Sequence, residues 1–501
     1  MTPSPFDTSG IEVGADGIRR YTGLHRNLVA MLHDTVQRHP DRTAVVELGG
    51  PRATYAQLWD RARRVAGGLR ARGVRPGDRV AVRLPNGLDW VLAFWGSHLA
   101  GAVVVPLNTR LAEAEVEFVL ADSGAALVIG GELPDGDPVD LPDAAHSDLA
   151  ALFYTSGTTG RPKGAMTTHE NFLTTAESVI RCRELPRDAA EPLATLISVP
   201  LFHVTGCNSQ MVTQARIGGT SVIMPRFEPA AFLRAIAEHR IDLVTSVPTI
   251  YELVLRHPDF AQTDVESVRT LSYGGAPMAP ELVHRLLAAF PNARLGNGFG
   301  LSETSALATF LPHEYAEAHA DSVGFAAPVN DLRIDRPSER GVGELLIRGP
   351  NVVAGYWGDP ARTAETFVDG WLHTGDMATL TDGMVRIVDR AKDMINRGGE
   401  NVYSVEVENA LCAHPDVVEV AVVGVPDPVM GEKVGAVVLP RTGVSKADLI
   451  PDLIAYARTQ LADFKVPQFI RVLDDPLPRN AGGKVLKAPL RQSEEWTPVP
   501  R

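Results

Sequence analysis

Apolar residues recur along this chain in two rhythms. Leu28, Met31, Leu32 and Val36 share one face at helical spacing, and Thr43-Ala-Val-Val-Glu47 then has the β-branched density of a strand. Thr54-Tyr55-Ala-Gln-Leu58 opens another helix, with Thr54 placed to cap it. A strand Val80–Leu84, a helix from about Leu88 and a strand Ala102–Val105 continue the alternation. It resumes with strands at Leu196–Val199, Ile241–Val247 and Thr270–Tyr273, helices at Pro229–His239 and Glu281–Phe290, and a short run Arg294–Gly296. Strand and helix in turn predict an α/β fold of mostly parallel sheets flanked by helices. Residues 1 to about 25 show neither rhythm and are expected to be an irregular lead-in.

From Gly343 the texture changes to short strands punctuated by glycine, Glu344–Ile347 and Met384–Val388, which predict a small β subdomain. After Arg390 a new unit begins, with strands at Val417–Val423, Gly435–Leu439 and Phe469–Leu473 and a helix at Ala447–Leu461. The expected division is a large N-terminal domain over residues 1–390 and a small α+β C-terminal domain over 391–501. Trp90–Leu107 is the most membrane-like stretch, but Gly96, His98, Gly101 and Pro106 interrupt it, and a buried helix followed by a buried strand fits better.

Charge narrows the function. Lys plus Arg number 48 against 61 Asp plus Glu, and the net charge of −13 argues against nucleic acid as the main partner. Cys182, Cys207 and Cys412 are scattered, forming neither a metal motif nor a disulfide framework, and the N-terminus carries no signal-peptide pattern. A reducing cytoplasm is the expected compartment.

Chemistry is announced at Tyr154-Thr-Ser-Gly-Thr-Thr-Gly-Arg-Pro-Lys-Gly164. Gly157, Gly160 and Gly164 let backbone N–H groups approach an anion, Thr155, Ser156, Thr158 and Thr159 add hydroxyl donors, and Lys163 adds positive charge. These are the requirements for holding a polyphosphate. The usual mononucleotide loop needs Gly-Lys followed by Ser or Thr at a helix start. Here Pro162 precedes the lysine, Gly164 follows it and strand-like Ala165-Met-Thr167 comes next, so a loop between two strands is expected.

This segment resembles the phosphate loop of the adenylate-forming superfamily, which comprises acyl- and aryl-CoA synthetases, peptide-synthetase adenylation domains and luciferases. The resemblance runs through motifs spread over nearly the whole chain. It implies ATP binding by Thr155, Ser156, Gly157, Thr158, Thr159, Gly160 and Lys163. Gly274-Gly275-Ala276-Pro277 resembles the adenine-binding turn, and Gly298-Phe299-Gly300 the segment where the family usually stacks a tyrosine on adenine. Ser302 and Glu303 follow; by resemblance Glu303 holds Mg²⁺ against the triphosphate, with Thr158 near the same ion. Trp371-Leu-His-Thr-Gly-Asp376 matches the family pattern that places Asp376 on the ribose, and Arg390 is the matching second contact, although Asp389 stands where the family commonly has glycine.

His203, in Pro-Leu-Phe-His-Val-Thr-Gly, is similar to the family residue bordering the acyl pocket, with Cys207 and Ser246 beside it. Lys392 falls at the family's hinge, about which the small domain pivots between two half-reactions. Gly398, Gly399 and Glu400 match the turn lining the pantetheine tunnel of CoA synthetases, and Lys484, in Asn480-Ala-Gly-Gly-Lys-Val-Leu-Lys487, matches the catalytic lysine. The resemblance therefore implies an AMP-forming acyl-CoA ligase, with Lys484, Glu303 and His203 as its chief catalytic candidates. The matched motifs supply no arginine for a second carboxylate, so an apolar monoacid is expected, fatty, aryl or polycyclic. A free-standing enzyme that loads a carrier protein is the alternative, a luciferase-like oxygenase is disfavoured, and a homodimer is left open. An ATPase switch lacks its signature here.

Overall fold

The computed structural model describes residues 4–139, 141–155, 161–276, 278, 280–398, 400–479, 485–492 and 495–499. The chain folds into two compact units. The first holds Met1–Arg333, Leu346–His373 and Thr381–Val385, and the second Ile334–Leu345, Thr374–Leu380 and Arg386–Arg501.

In the first unit the helical stripes become Leu28–Arg38, capped by Asn27, and Tyr55–Ala71, where Thr54 and Gln57 form a reciprocal capping box. Helix Leu88–Leu99 is buried all round except at Asp89, which fits a helix apolar on nearly every side, with Ser97 and His98 buried among its apolar residues. Strand Val103–Pro106 is buried throughout. Among the described residues no helix is long and apolar enough to cross a membrane.

Two sheets follow from the alternation. One has the order Leu127–Ile129, Arg79–Val82, Val103–Pro106, Leu149–Thr155 and Lys163–Thr168, with parallel pairing except at its last junction. That junction is an antiparallel hairpin with Thr155 opposite Lys163, so the candidate phosphate loop does join two strands. The other sheet sets Thr43–Glu47, Thr220–Ile223, Ala194–Ile197, Leu243–Ser246, Thr270–Gly274 and Arg294–Phe299 side by side and parallel. It turns antiparallel at Arg52–Thr54 and beyond Arg294–Phe299.

Two expectations need correction. The lead-in is not irregular: Ile11–Val13 pairs with Arg19–Tyr21, the Tyr21 hydroxyl meets Ser178 Oγ at 2.9 Å, and Phe6 packs against Phe310. Strands of three residues carry too few alternations to show in sequence, and tertiary contacts hold them. Arg294–Phe299 also runs further than expected, so Asn297, Gly298 and Phe299 are the strand's last three residues rather than a loop beyond it.

The second unit is α+β. A long hairpin, Val417–Asp427 with Gly431–Pro440, is extended by Phe469–Val472 in parallel. Helices Ser404–Cys412 and Lys446–Gln460 bury Val407, Leu411, Leu449, Leu453 and Ile454 in the same core as Ile395, Val402, Val434 and Val438.

Candidate active site

Three neighbouring strands deliver the first group of candidates. In their parallel register Ser246 lies opposite Tyr273, and Gly274 opposite Gly298, so Ser246, the Gly274 turn and Gly298–Gly300 all leave the sheet at its carboxyl edge. Ligands of open parallel sheets bind at that edge. Gly274 admits no side chain, since a Cβ there would stand 2.2 Å from the Gly298 carbonyl oxygen. Gly275 and Ala276 are exposed and Phe299 is half-buried, which leaves backbone and a ring edge open to a flat ligand. Pro277 lies outside the described residues.

The acyl candidates lie along the same edge. Ser246 Oγ is 3.2 Å from Ser198 Oγ. His203 is half-buried, with its ring centroid 4.6 Å from that of Phe202, and is the N-cap of Val204–Gly206, which continues into the π-helical turn Cys207–Val212. Such turns are often found at functional sites. Cys207 is fully buried in the core with Val204 and Met211, and burial pushes its thiol pKa well up, so it stays neutral.

The phosphate side is built on the hairpin. Thr155 and Lys163 face each other at its mouth; Ser156, Gly157, Thr158, Thr159 and Gly160 lie outside the described residues. Lys163 Nζ sits 4.9 Å from the centroid of the Tyr356 ring. Desolvation holds its ammonium below the usual lysine pKa, with Arg362 adding to the effect and Glu303 opposing it. Glu303 sits in the single turn Ser302–Thr304, half-buried beside Ser302, and its Oε1 accepts the Tyr356 hydroxyl at 2.7 Å. Among the described residues neither Lys163 nor Glu303 is in an ion pair. One hard carboxylate oxygen with no hydrogen-bond partner among the described residues, close to Lys163 at the mouth of the hairpin, fits Mg²⁺, which takes few protein ligands when phosphate supplies others. Tyr356 carried no sequence signal: it is far from both partners in the chain, in Val353-Ala-Gly-Tyr-Trp357.

The remaining candidates belong to the second unit. Arg390 Nε approaches Asp376 Oδ1 at 3.3 Å, with side-chain exposures of 39% and 5%. Asp389, in the position where glycine is common, is buried. It accepts from the Arg390 N–H at 2.7 Å, the Ser404 N–H, and Ser404 Oγ at 3.0 Å, so a carboxylate organises the turn into helix Ser404–Cys412. Lys392 is exposed, and its carbonyl accepts from Arg491 at 2.9 Å. Gly398 has φ +61°, a region that L side chains rarely adopt, and donates its N–H to the Met430 carbonyl at 2.7 Å; Glu400 pairs with Arg397 across the adjoining turn. Gly399 and Lys484 lie outside the described residues.

Among the described residues, His414, Asp416 and Asp452 form one cluster of metal-ligand type. His414 Nδ1 accepts from the Asp416 N–H at 3.2 Å and Nε2 faces Asp452 at 3.2 Å, so both ring nitrogens are already engaged.

The AMP-binding enzyme family matches residues 32–144 and 130–357, and the AMP-binding enzyme C-terminal domain matches 406–484. A feruloyl-CoA synthase of Amycolatopsis sp is 40% identical over 482 residues, covering 90% of this chain and 96% of that protein. The solved o-succinylbenzoate-CoA synthetase of Bacillus subtilis, in complex with its acyl-adenylate intermediate, is similar with a TM-score of 0.84 at 30% identity, covering 94% of this chain and 99% of the other. The same enzyme in complex with ATP and magnesium ion gives 0.82 at 30% identity, covering 92% and 98%.

Proposed function

This chain belongs to the AMP-binding enzyme family, and from that premise we propose which of its residues serve each step of an AMP-forming acid–thiol ligase. In the first step an oxygen of the substrate carboxylate attacks the α-phosphorus of ATP, the bond to the β-phosphate bridging oxygen breaks, and acyl-AMP and pyrophosphate result. In the second the CoA thiol, losing its proton, attacks the acyl carbon, and AMP leaves. The carboxylate is a poor electrophile until adenylation gives it a good leaving group, so the protein's work is positioning and charge neutralisation.

One arrangement carries the assignment. A lysine and a carboxylate, Lys163 and Glu303, meet on the same tyrosine, and Glu303 lies just past the carboxyl edge of the parallel sheet. A cation beside a carboxylate suits a metal–polyphosphate ligand: Lys163 and the loop hydroxyls take phosphate oxygens, and Glu303 holds Mg²⁺. When bound, Mg²⁺ neutralises charge on the leaving pyrophosphate. Gly274–Ala276 and Phe299 form the adenine platform, Asp376 and Arg390 hold the ribose, and Lys484 stabilises charge developing at the α-phosphate. Gly398, Gly399 and Glu400 serve the thiol step. Those two sets of residues act in succession, with Lys392 as the hinge between them.

The acid is an apolar monoacid. Residues 203–212 and 246–249 bring no arginine or lysine to pair a second carboxylate. The likeness to a feruloyl-CoA synthase puts aryl acids first. A panel of aryl, polycyclic and fatty acids, each incubated with ATP, Mg²⁺ and CoA, tests this by the appearance of thioester and AMP. Turnover of dicarboxylic acids alone would overturn the substrate class. Acyl transfer to a phosphopantetheinyl carrier protein in preference to CoA would overturn the acceptor.

A further inference from the structure

We infer that Tyr356 is a positioning residue for the cation-binding carboxylate: its hydroxyl fixes Glu303 Oε1 and leaves Oε2 to a divalent cation, while its ring seats Lys163. This rests on Glu303 as the metal ligand.

The segment around Tyr356 is fastened on both sides. Towards the hairpin, Tyr356 bridges to Ala165, the Met166 N–H donates to the Gly355 carbonyl at 3.0 Å, and the Trp357 N–H donates to the Gly164 carbonyl at 2.8 Å. Towards the glutamate, the Val353 N–H donates to the Glu303 carbonyl at 2.9 Å. Residues 353–357 therefore tie the strand that begins at Lys163 to the turn that carries Glu303. Tyr356 itself is 5% exposed and packs edge-on to Phe367 at 5.7 Å, so its ring has no freedom to leave.

The backbone under Glu303 is separately fixed. Ser305 and Ala306 have φ of +52° and +106°, an unfavourable region for residues with a Cβ. Asn351 Nδ2 holds that turn through the Thr304 and Leu307 carbonyls at 3.1 and 2.9 Å, and Asn208 Nδ2 through the Ser305 carbonyl at 3.2 Å. What remains undetermined is the glutamate side chain, and Tyr356 supplies that contact. Tyr55 and Tyr251, two other buried tyrosines, direct their hydroxyls to main-chain carbonyls, whereas Tyr356, like Tyr154 with Asp122, donates to a carboxylate.

Tyr356→Phe keeps the ring, its packing and the Lys163 contact, and removes only the hydroxyl. The first readout is binding of Mn²⁺ to the full chain with ATP and no carboxylic acid, followed by electron paramagnetic resonance. Removing a group that orients a metal ligand weakens the metal by about 10-fold or more, and that loss is expected here, with melting unchanged. Glu303→Gln should weaken Mn²⁺ as well, and adding Tyr356→Phe to Glu303→Gln should change it less than about 2-fold, because two residues acting through one contact are not additive. Thioester formation from preformed acyl-AMP and CoA should match wild type in Tyr356→Phe. Wild-type Mn²⁺ affinity in Tyr356→Phe, with Glu303→Gln impaired, overturns the positioning role and leaves the metal assignment standing. Independent, multiplying effects in the double variant also overturn it. Unchanged Mn²⁺ binding in Glu303→Gln removes the metal assignment, and this inference with it.

Discussion

The two units each hold a cluster of sequestered charge, and the two clusters are built on opposite plans. In the first, neutral groups hold the charges: a phenol and amides fix Glu303 and its turn, an aromatic face seats Lys163, and among the described residues no ion pair cancels either. In the second the charges cancel each other. Lys487 Nζ lies 2.6 Å from Glu408 and donates to Ser404 Oγ at 2.7 Å, and that hydroxyl donates to Asp389. The first cluster keeps its charge available, whereas the second neutralises its own. Proximity of charged residues does not distinguish the two; the type of partner does.

Two lysines close together in the chain sharpen that contrast. Lys484→Ala should slow acyl-AMP formation by about 10²–10³-fold, the loss typical of removing one stabilising charge from a transition state. Its melting temperature should stay put, and preformed acyl-AMP should still be converted to thioester. Near-normal acid-dependent pyrophosphate exchange would take Lys484 out of the chemistry.

Lys487→Met should do the reverse. With both partners only 16% and 19% exposed, it strands a carboxylate and should cost about 3 kcal/mol of stability, while the folded fraction keeps its adenylation rate. The pH dependence carries a sign. Burial raises the pKa of Asp389 and of Glu408 above the ordinary carboxylate value, with Lys487 opposing. The folded protein therefore retains protons that the unfolded chain has released, and this contribution to stability falls as pH rises from about 4. Without Lys487 both values rise further, so the deficit should be smallest in acid and widen towards neutrality. Denaturant melts across that range check it; a deficit independent of pH would mean that the lysine only packs. At the other cluster Glu303→Gln should raise the Mg²⁺ requirement of pyrophosphate exchange by about 10-fold and leave stability nearly unchanged, since no ion pair is broken. A Mg²⁺ titration overlaying that of wild type would contradict this.

Much of this was legible in sequence because the signals are local. Gly157 to Gly164 announces a phosphate loop by residue type alone, and Thr54 announces a cap three residues from Gln57. What stayed hidden was non-local or lacked contrast. Helix His169–Cys182 is buried on nearly every side, polar positions included, and Glu177 is compensated there by Arg181 and by Arg187 and Arg216 from beyond the helix. Helix Ser404–Cys412 is too short for its Val407–Leu411 spacing to stand out. Tyr356 belongs to the candidate site only because residues 353–357 lie along the strand beginning at Lys163, a pairing no local pattern encodes.

The fate of the carboxylate oxygen distinguishes the two-step route most directly. If the acid attacks the α-phosphorus and AMP is displaced by the CoA thiol, an accepted acid labelled with ¹⁸O in its carboxyl group must deliver one labelled oxygen to AMP at each turnover, and none to pyrophosphate. Mass spectrometry of the nucleotide and phosphate products reads this in a single incubation with ATP, Mg²⁺ and CoA. Label in AMP, in step with thioester formed, is the predicted result. Thioester formed with unlabelled AMP, or with label in inorganic phosphate beside ADP, would contradict it.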